Sequence, residues 1–206
     1  VVVRLLDGEK VLAEAPLRAP GANWEEREFA LRPKSAAPNA TLQVLARGVG
    51  KVWFDQVSLA PASDLRAGGF RADLLKAVAD LRPPIIRWPG GCFAEYYLWK
   101  DGIGAQHRRV KYPISIWDDQ DTNSYGTDEF IEMCRRVGAE PLLVINIGMH
   151  MRPEKRQEMI RYAQEWVEYC NGPATSKWGS VRAAGGHPEP YRVQYWEIDN
   201  ETWRMG

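Results

Sequence analysis

PLLVINIG, residues 141–148, is a nearly continuous apolar run. A strand buried on both faces needs such a run, and parallel strands covered by helices are buried in this way. Helical spacing flanks it on both sides. Before it, Phe130, Ile131, Cys134 and Val137 share one helical face. Thr127 is the expected N-cap of that helix, Asp128 and Glu129 suit its first turn, and Gly138 stops it. After it, residues 154–170 are expected to be helical, with Ile160, Ala163, Val167 and Cys170 on one face. Further out, IIRW (85–88) follows a helix over 71–81 that Pro83 and Pro84 end, and VQYWEID (193–199) is a third strand. Alternating helix and strand predicts a parallel sheet. RWPGGCF (87–93) is glycine-rich but lacks the G-x-G-x-x-G of a doubly wound dinucleotide fold. Polar residues cluster just past each strand: Arg87 and Cys92, then Asn146 and His150, then Asn200 and Glu201. That clustering favours an α/β fold of the partial (β/α)8 TIM-barrel type over residues 63–206, with too few repeats to close eight strands.

Residues 1–62 have a different texture. VVVRLL, WEEREFAL (24–31), ATLQVLAR (40–47) and KVWFDQVSLA (51–60) alternate roughly and are separated by Pro, Gly, Asn and Ser. They predict part of a β-sandwich, with a bulge at Asp55.

Composition excludes several functions. Lysine plus arginine and aspartate plus glutamate are 27 each, so the net charge is zero and nothing attracts nucleic acid or an anionic membrane. No run is long enough to span a membrane. Cys92, Cys134 and Cys170 lack disulfide or C-x-x-C spacing, and His107, His150 and His187 are scattered, so no metal or cofactor is expected. Nine tryptophans are many for 206 residues and suit either a core or a sugar cleft.

The chemistry concentrates in YWEIDNETW, residues 195–203. A strand ending in Asn-Glu sets an amide beside a carboxyl group. Glycosidic cleavage needs a carboxylic acid to protonate the leaving oxygen and a hydrogen bond to the sugar 2-hydroxyl. Glu201 suits the first role and Asn200 the second. Trp196 and Trp203 supply apolar surroundings that would help keep Glu201 protonated.

RWPGGCFAEYYLWKDGIG (87–104), TNSYGTDEF (122–130), GAEPLLVINIG (138–148), WVEYCNGP (166–173) and YRVQYWEIDNETW (191–203), in this order, resemble family 51 of the glycoside hydrolases, the α-L-arabinofuranosidase family of clan A. The resemblance implies a (β/α)8 barrel and a retaining mechanism with two glutamates, Glu201 being the general acid/base. It implies Asn200 as a substrate-binding amide, Arg87 near the base of the sugar site, Cys92 touching the furanose and Trp99 flanking the cleft. Asn146 and Trp203 are further expected substrate contacts. Residues 1–62 resemble the tail of a carbohydrate-binding-like β-sandwich insert.

Two departures stand beside the resemblance. Many members read G-N-E-M-D-G where this chain has Asp199-Asn200-Glu201-Thr202-Trp203-Arg204, a change that points towards endo-acting β-1,4-glucanases or xylanases. The family's nucleophile comes from a later strand than any within residues 1–206, so this chain alone is expected to be inactive. The expected partners are a carbohydrate substrate and either a second copy or a companion chain with the remaining strands. The alternatives are an endo-acting enzyme of the same family and a non-catalytic carbohydrate-binding protein. Localisation stays open.

Overall fold

The chain divides into two compact units, residues 1–57 and 58–206. The computed structural model describes residues 1–18, 21–114, 117–149 and 151–205. His150 lies outside the described residues.

In the first unit, β1 (Val2–Asp7), β2 (Lys10–Pro16) and β3 (Thr41–Leu45) form an antiparallel sheet in the order β2-β1-β3. Gly8 takes a φ of 57° in the turn from Asp7 to Lys10, a left-handed conformation open to glycine without steric cost. Val3, Leu12 and Ala15 are its buried apolar residues. Two expected strands are absent. WEEREFAL carries four charges in four consecutive positions, and its Trp24 and Phe29 remain exposed. KVWFDQVSLA exposes Trp53, Phe54, Val57 and Leu59, and Gln56 has a φ of 51°, outside the extended region, so no bulge forms at Asp55. A strand needs a neighbour for its backbone groups, and these two segments have none among the described residues.

The second unit opens with α1 (Ala62–Arg66) and α2 (Ala72–Asp80). β4 (Ile85–Trp88) follows, then a long connection with three short 3₁₀ turns and a hairpin of β5 (Tyr112–Ile114) and β6 (Asp119–Asp121). After it come α3 (Thr127–Val137), β7 (Glu140–Ile145), α4 (Pro153–Asn171), α5 (Lys177–Ala184) and β8 (Tyr195–Ile198). The sheet is β4-β7-β8, parallel throughout, so β7, the strand of the PLLVINIG run, is central. α3 leads into β7, and α4 and α5 lead into β8, as in a βα repeat.

Strand periodicity sorts the sheet's residues. Trp88, Leu143, Ile145 and Trp196 pack with Phe130, Cys134, Trp166, Tyr169 and Cys170 of α3 and α4. Arg87, Leu142, Val144, Tyr195 and Glu197 lie on the opposite face, because paired residues in register share a side. Both Cys134 and Cys170 are buried free thiols; burial pushes Cys134 up to about 12 and holds Cys170 well above the usual thiol range, so neither is reactive.

One helix expectation needs correction. Gly126, not Thr127, is the N-cap of α3. A Cβ at Gly126 would lie 1.8 Å from the carbonyl oxygen of Gly102, so no side chain fits there. The Gly126 N–H donates instead to Glu129, and the Thr127 hydroxyl accepts from the Trp166 indole at 3.0 Å. On α4 the face against the core is Met159, Trp166, Tyr169 and Cys170, while Ile160 and Val167 are exposed. Those two line an open apolar groove with Ala163, Ile145, Ile147 and Ile198. α4 is apolar on two sides, and spacing alone does not say which side meets the sheet.

Candidate active site

The site is built at the carboxyl ends of β4, β7 and β8. Arg87, on β4, reaches across the central strand to Glu197 on β8: Nε donates to Oε2 at 2.5 Å and Nη2 to Oε1 at 3.0 Å. Nη2 also donates to Asn200 Oδ1 at 3.2 Å. Arg87 and Asn200 are therefore brought together at the strand ends, and Glu201, the next residue in the chain, is exposed.

The backbone around them is unusual. Asp199 and Glu201 have φ of 54° and 51°, both left-handed and both non-glycine. Aspartate tolerates this conformation because its short side chain bonds locally; glutamate lacks that compensation, and the cost is about 1–2 kcal/mol. Such departures persist where surrounding contacts enforce them. Asp199 supplies those contacts. It is buried; its Oδ1 accepts the Asn200 N–H at 2.8 Å and its Oδ2 the Ile147 N–H at 2.9 Å, while its own N–H donates to Ile145 O at 2.9 Å. The carboxylate thus ties the end of β8 to the end of β7. Asp199→Ala is expected to lower stability by about 2 kcal/mol, because it strands two N–H groups and places a Cβ without local bonds at positive φ. Asp199→Gly removes the bonds but not the backbone freedom, and should lose about 1 kcal/mol less in urea unfolding.

The other expected contacts fare differently. Cys92 is half-buried in the first 3₁₀ turn after β4, next to Gly91, whose φ is 57°. Asn146 is buried, with its amide committed to backbone: Nδ2 donates to Tyr97 O at 3.3 Å and Oδ1 accepts from Gly148 N at 2.7 Å. Trp203 is exposed in the 3₁₀ turn Thr202–Met205, one turn beyond Glu201. Trp99 departs from expectation. It is 1 % exposed, stacked on Trp166 at 6.1 Å and edge-on to Trp178 at 5.0 Å, with its indole N–H donated to Tyr162 O. Trp99 is a core residue, and no sugar ring can lie on it without opening that core.

Two residues that sequence reasoning passed over belong here. Glu197 is two positions before Asp199 on the inner face of β8, and only the sheet register reveals that it meets Arg87. Trp117, beside the β5–β6 hairpin, is 57 % exposed and stacks on Phe93 at 6.0 Å with an interplanar angle of 28°. A large aromatic in a βα connection, supported from behind and open in front, is a surface suited to stacking.

The connection that carries Cys92, Trp99 and Trp117 is anchored by partly buried ion pairs. Arg109 donates to both oxygens of Glu129 at 2.8 and 2.9 Å, and to the carbonyls of Gly104 and Asn123. Lys100 pairs with Glu165 and lies 4.5 Å from the ring centroids of Tyr162 and Trp178. These contacts hold the stretches around Trp99, Gly104 and Asn123 as a fixed wall.

Parallel βα repeats that deliver an asparagine–glutamate pair to their carboxyl ends, with an arginine holding the amide, have the organisation of a barrel glycoside hydrolase. Residues 77–206 match the family described as the α-L-arabinofuranosidase 1 domain. α-L-Arabinofuranosidase 1 of Arabidopsis thaliana is 34 % identical over 96 % of this chain and 30 % of its own length. α-L-Arabinofuranosidase C of Emericella nidulans is 41 % identical over 69 % of this chain and 26 % of its own. Among solved structures, the Thermotoga maritima α-L-arabinofuranosidase in complex with arabinose is 44 % identical, with a TM-score of 0.59 over 66 % of this chain and 26 % of that one. An arabinose-bound MgGH51 α-L-arabinofuranosidase matches 98 % of this chain and 36 % of that one with a TM-score of 0.75 at 22 % identity, a likeness of fold alone. The chain belongs to the α-L-arabinofuranosidase family, family 51 of the glycoside hydrolases. It spans about 30 % of the length of the Arabidopsis relative.

Proposed function

We propose that the chain is the acid/base-bearing part of a retaining α-L-arabinofuranosidase, which releases L-arabinofuranosyl residues from plant polysaccharides such as hemicellulose and arabinan. The observation that carries this is the Asn200 amide held by Arg87 at the end of a parallel sheet, next to Glu201 on a constrained backbone. Glu201 protonates the leaving oxygen and then, as carboxylate, takes a proton from the attacking water. Asn200 donates to the sugar 2-hydroxyl. Trp117 and Trp203 offer exposed aromatic surface for the polysaccharide side, and Cys92 with the Gly90-Gly91 turn borders the furanose. The nucleophile is assigned to a carboxylate outside residues 1–206, about 5–5.5 Å from Glu201, the separation of a retaining pair. The remaining strands of a (β/α)8 barrel are assigned there too, and residues 1–62 to a β-sandwich insert.

The names of the relatives favour exo-action on arabinofuranosides over the two alternatives. A substrate panel on the full-length protein tests it. Turnover of an aryl α-L-arabinofuranoside, with no release of reducing ends from carboxymethyl cellulose or xylan backbone, is the expected result. The reverse pattern makes the enzyme endo-acting, and no turnover with retained polysaccharide binding makes it a binding protein.

A further inference from the structure

Glu197 takes no step in that chemistry, yet it sits on the inner face of β8 with its carboxylate on two donors of Arg87. We propose that Glu197 is a positioning residue that sets the orientation of the Asn200 amide through Arg87. The inference rests on the assignment of Asn200 as the sugar-binding amide.

The argument is one of donor and acceptor capacity. A guanidinium has donors only. Whatever amide atom faces Arg87 Nη2 must therefore be the oxygen, which turns the Asn200 NH2 group away from Arg87 as a donor. That orientation lasts only while the guanidinium stays in place. Arginine is long and rotamer-rich, and both Arg87 and Glu197 have side chains about one-third exposed, at 36 % and 37 %. The bidentate grip of Glu197 on Nε and Nη2 fixes the plane of the fork and aims the second Nη2 hydrogen at Asn200. Gly90 leaves room for the other end: a Cβ there would lie 3.3 Å from Nη1. Remove the carboxylate and Arg87 is free to swing. The amide then rotates between two faces, one of which presents an acceptor to the sugar where a donor is required.

The test compares substrates with and without the 2-hydroxyl in the full-length protein. Glu197→Ala is expected to lower kcat on an aryl α-L-arabinofuranoside by about 10²-fold, the scale of a misplaced contact, with little change in KM. On the 2-deoxy counterpart the same substitution should cost no more than a few-fold, because the contact it disturbs is already missing. Glu197→Gln keeps one acceptor oxygen and should fall between, at an unchanged melting temperature. An equal loss on both substrates, or no loss on either, overturns the proposal. A second readout needs no turnover: in 15N NMR the Asn200 side-chain NH2 pair should shift or broaden in Glu197→Gln, and an unmoved pair overturns the proposal as well. If the parent protein turns over neither sugar, the functional reading fails while the amide resonance still decides the role of Glu197.

Discussion

Glu201→Ala in the full-length protein is expected to reduce kcat/KM on arabinofuranosides with poor leaving groups by about 10²–10⁴-fold, the usual contribution of a positioned general acid. With an activated leaving group such as dinitrophenolate the loss in kcat/KM should be small, because that oxygen departs without a proton. A plot of log kcat/KM against leaving-group pKa, shallow in the parent, should become steep in the variant. kcat itself should fall even on activated substrates, since the same side chain is the base that deprotonates water in the second half-reaction. Azide needs no base and should restore kcat on those substrates, giving the glycosyl azide. A loss that is the same for every leaving group, with no azide rescue, removes Glu201 from the acid/base role. The backbone supports the choice of this residue: Glu201 sits at a φ of 51°, a left-handed conformation that departs from the usual one for glutamate and that persists where surrounding structure enforces it.

How much of this was legible in the sequence depends on the range of the interaction involved. The βα order, the stop at Gly138 and the strand-end placement of Asn200 are written in local spacing, and the structure has them. The Arg87–Glu197 grip joins residues 110 positions apart. It exists because β4 and β8 both flank β7, and no local pattern encodes that. Trp99 and Trp117 illustrate a second limit. Both are aromatic residues in the same connection, and hydropathy treats them alike. Trp99 is buried because Trp166, Trp178 and Tyr162 converge on it; Trp117 is open, with Phe93 its one stacking partner among the described residues. The lost strands of the first unit show a third limit: alternation in KVWFDQVSLA promises a strand only if another edge is there to pair with it.

Arg182→Leu is expected to be the most destabilising substitution in the second unit, by about 3–5 kcal/mol, the scale for removing one partner of a buried charged network. Arg182 is fully buried on α5. It donates to Tyr169 O at 2.5 Å, Gly172 O at 2.9 Å, His187 O at 2.9 Å and Pro188 O at 3.2 Å. Tyr169 and Gly172 are at the carboxyl end of α4, where helix carbonyls lack intrahelical partners and a cation is favoured. His187 and Pro188 lie in the segment that leads into β8. One guanidinium thus fastens the end of α4 to the approach of the strand that ends in Asn200. Leucine fills part of the volume but leaves the carbonyls buried without donors, and these are backbone groups that no compensating substitution removes. The damage should spread next door. Asp128 accepts hydrogen bonds from the Tyr169 and Tyr191 hydroxyls at 2.8 Å each, and burial together with that carboxylate raises both phenols, so they stay protonated donors. The Tyr191 ring lies 5.8 Å from the Arg182 guanidinium carbon. Arg182→Lys keeps the charge but not the planar fork, and one ammonium cannot serve four carbonyls on two segments; it should recover less than half of the loss. Urea unfolding followed by tryptophan fluorescence measures both variants. A leucine variant within about 1 kcal/mol of the parent would mean that water replaces the guanidinium at these carbonyls.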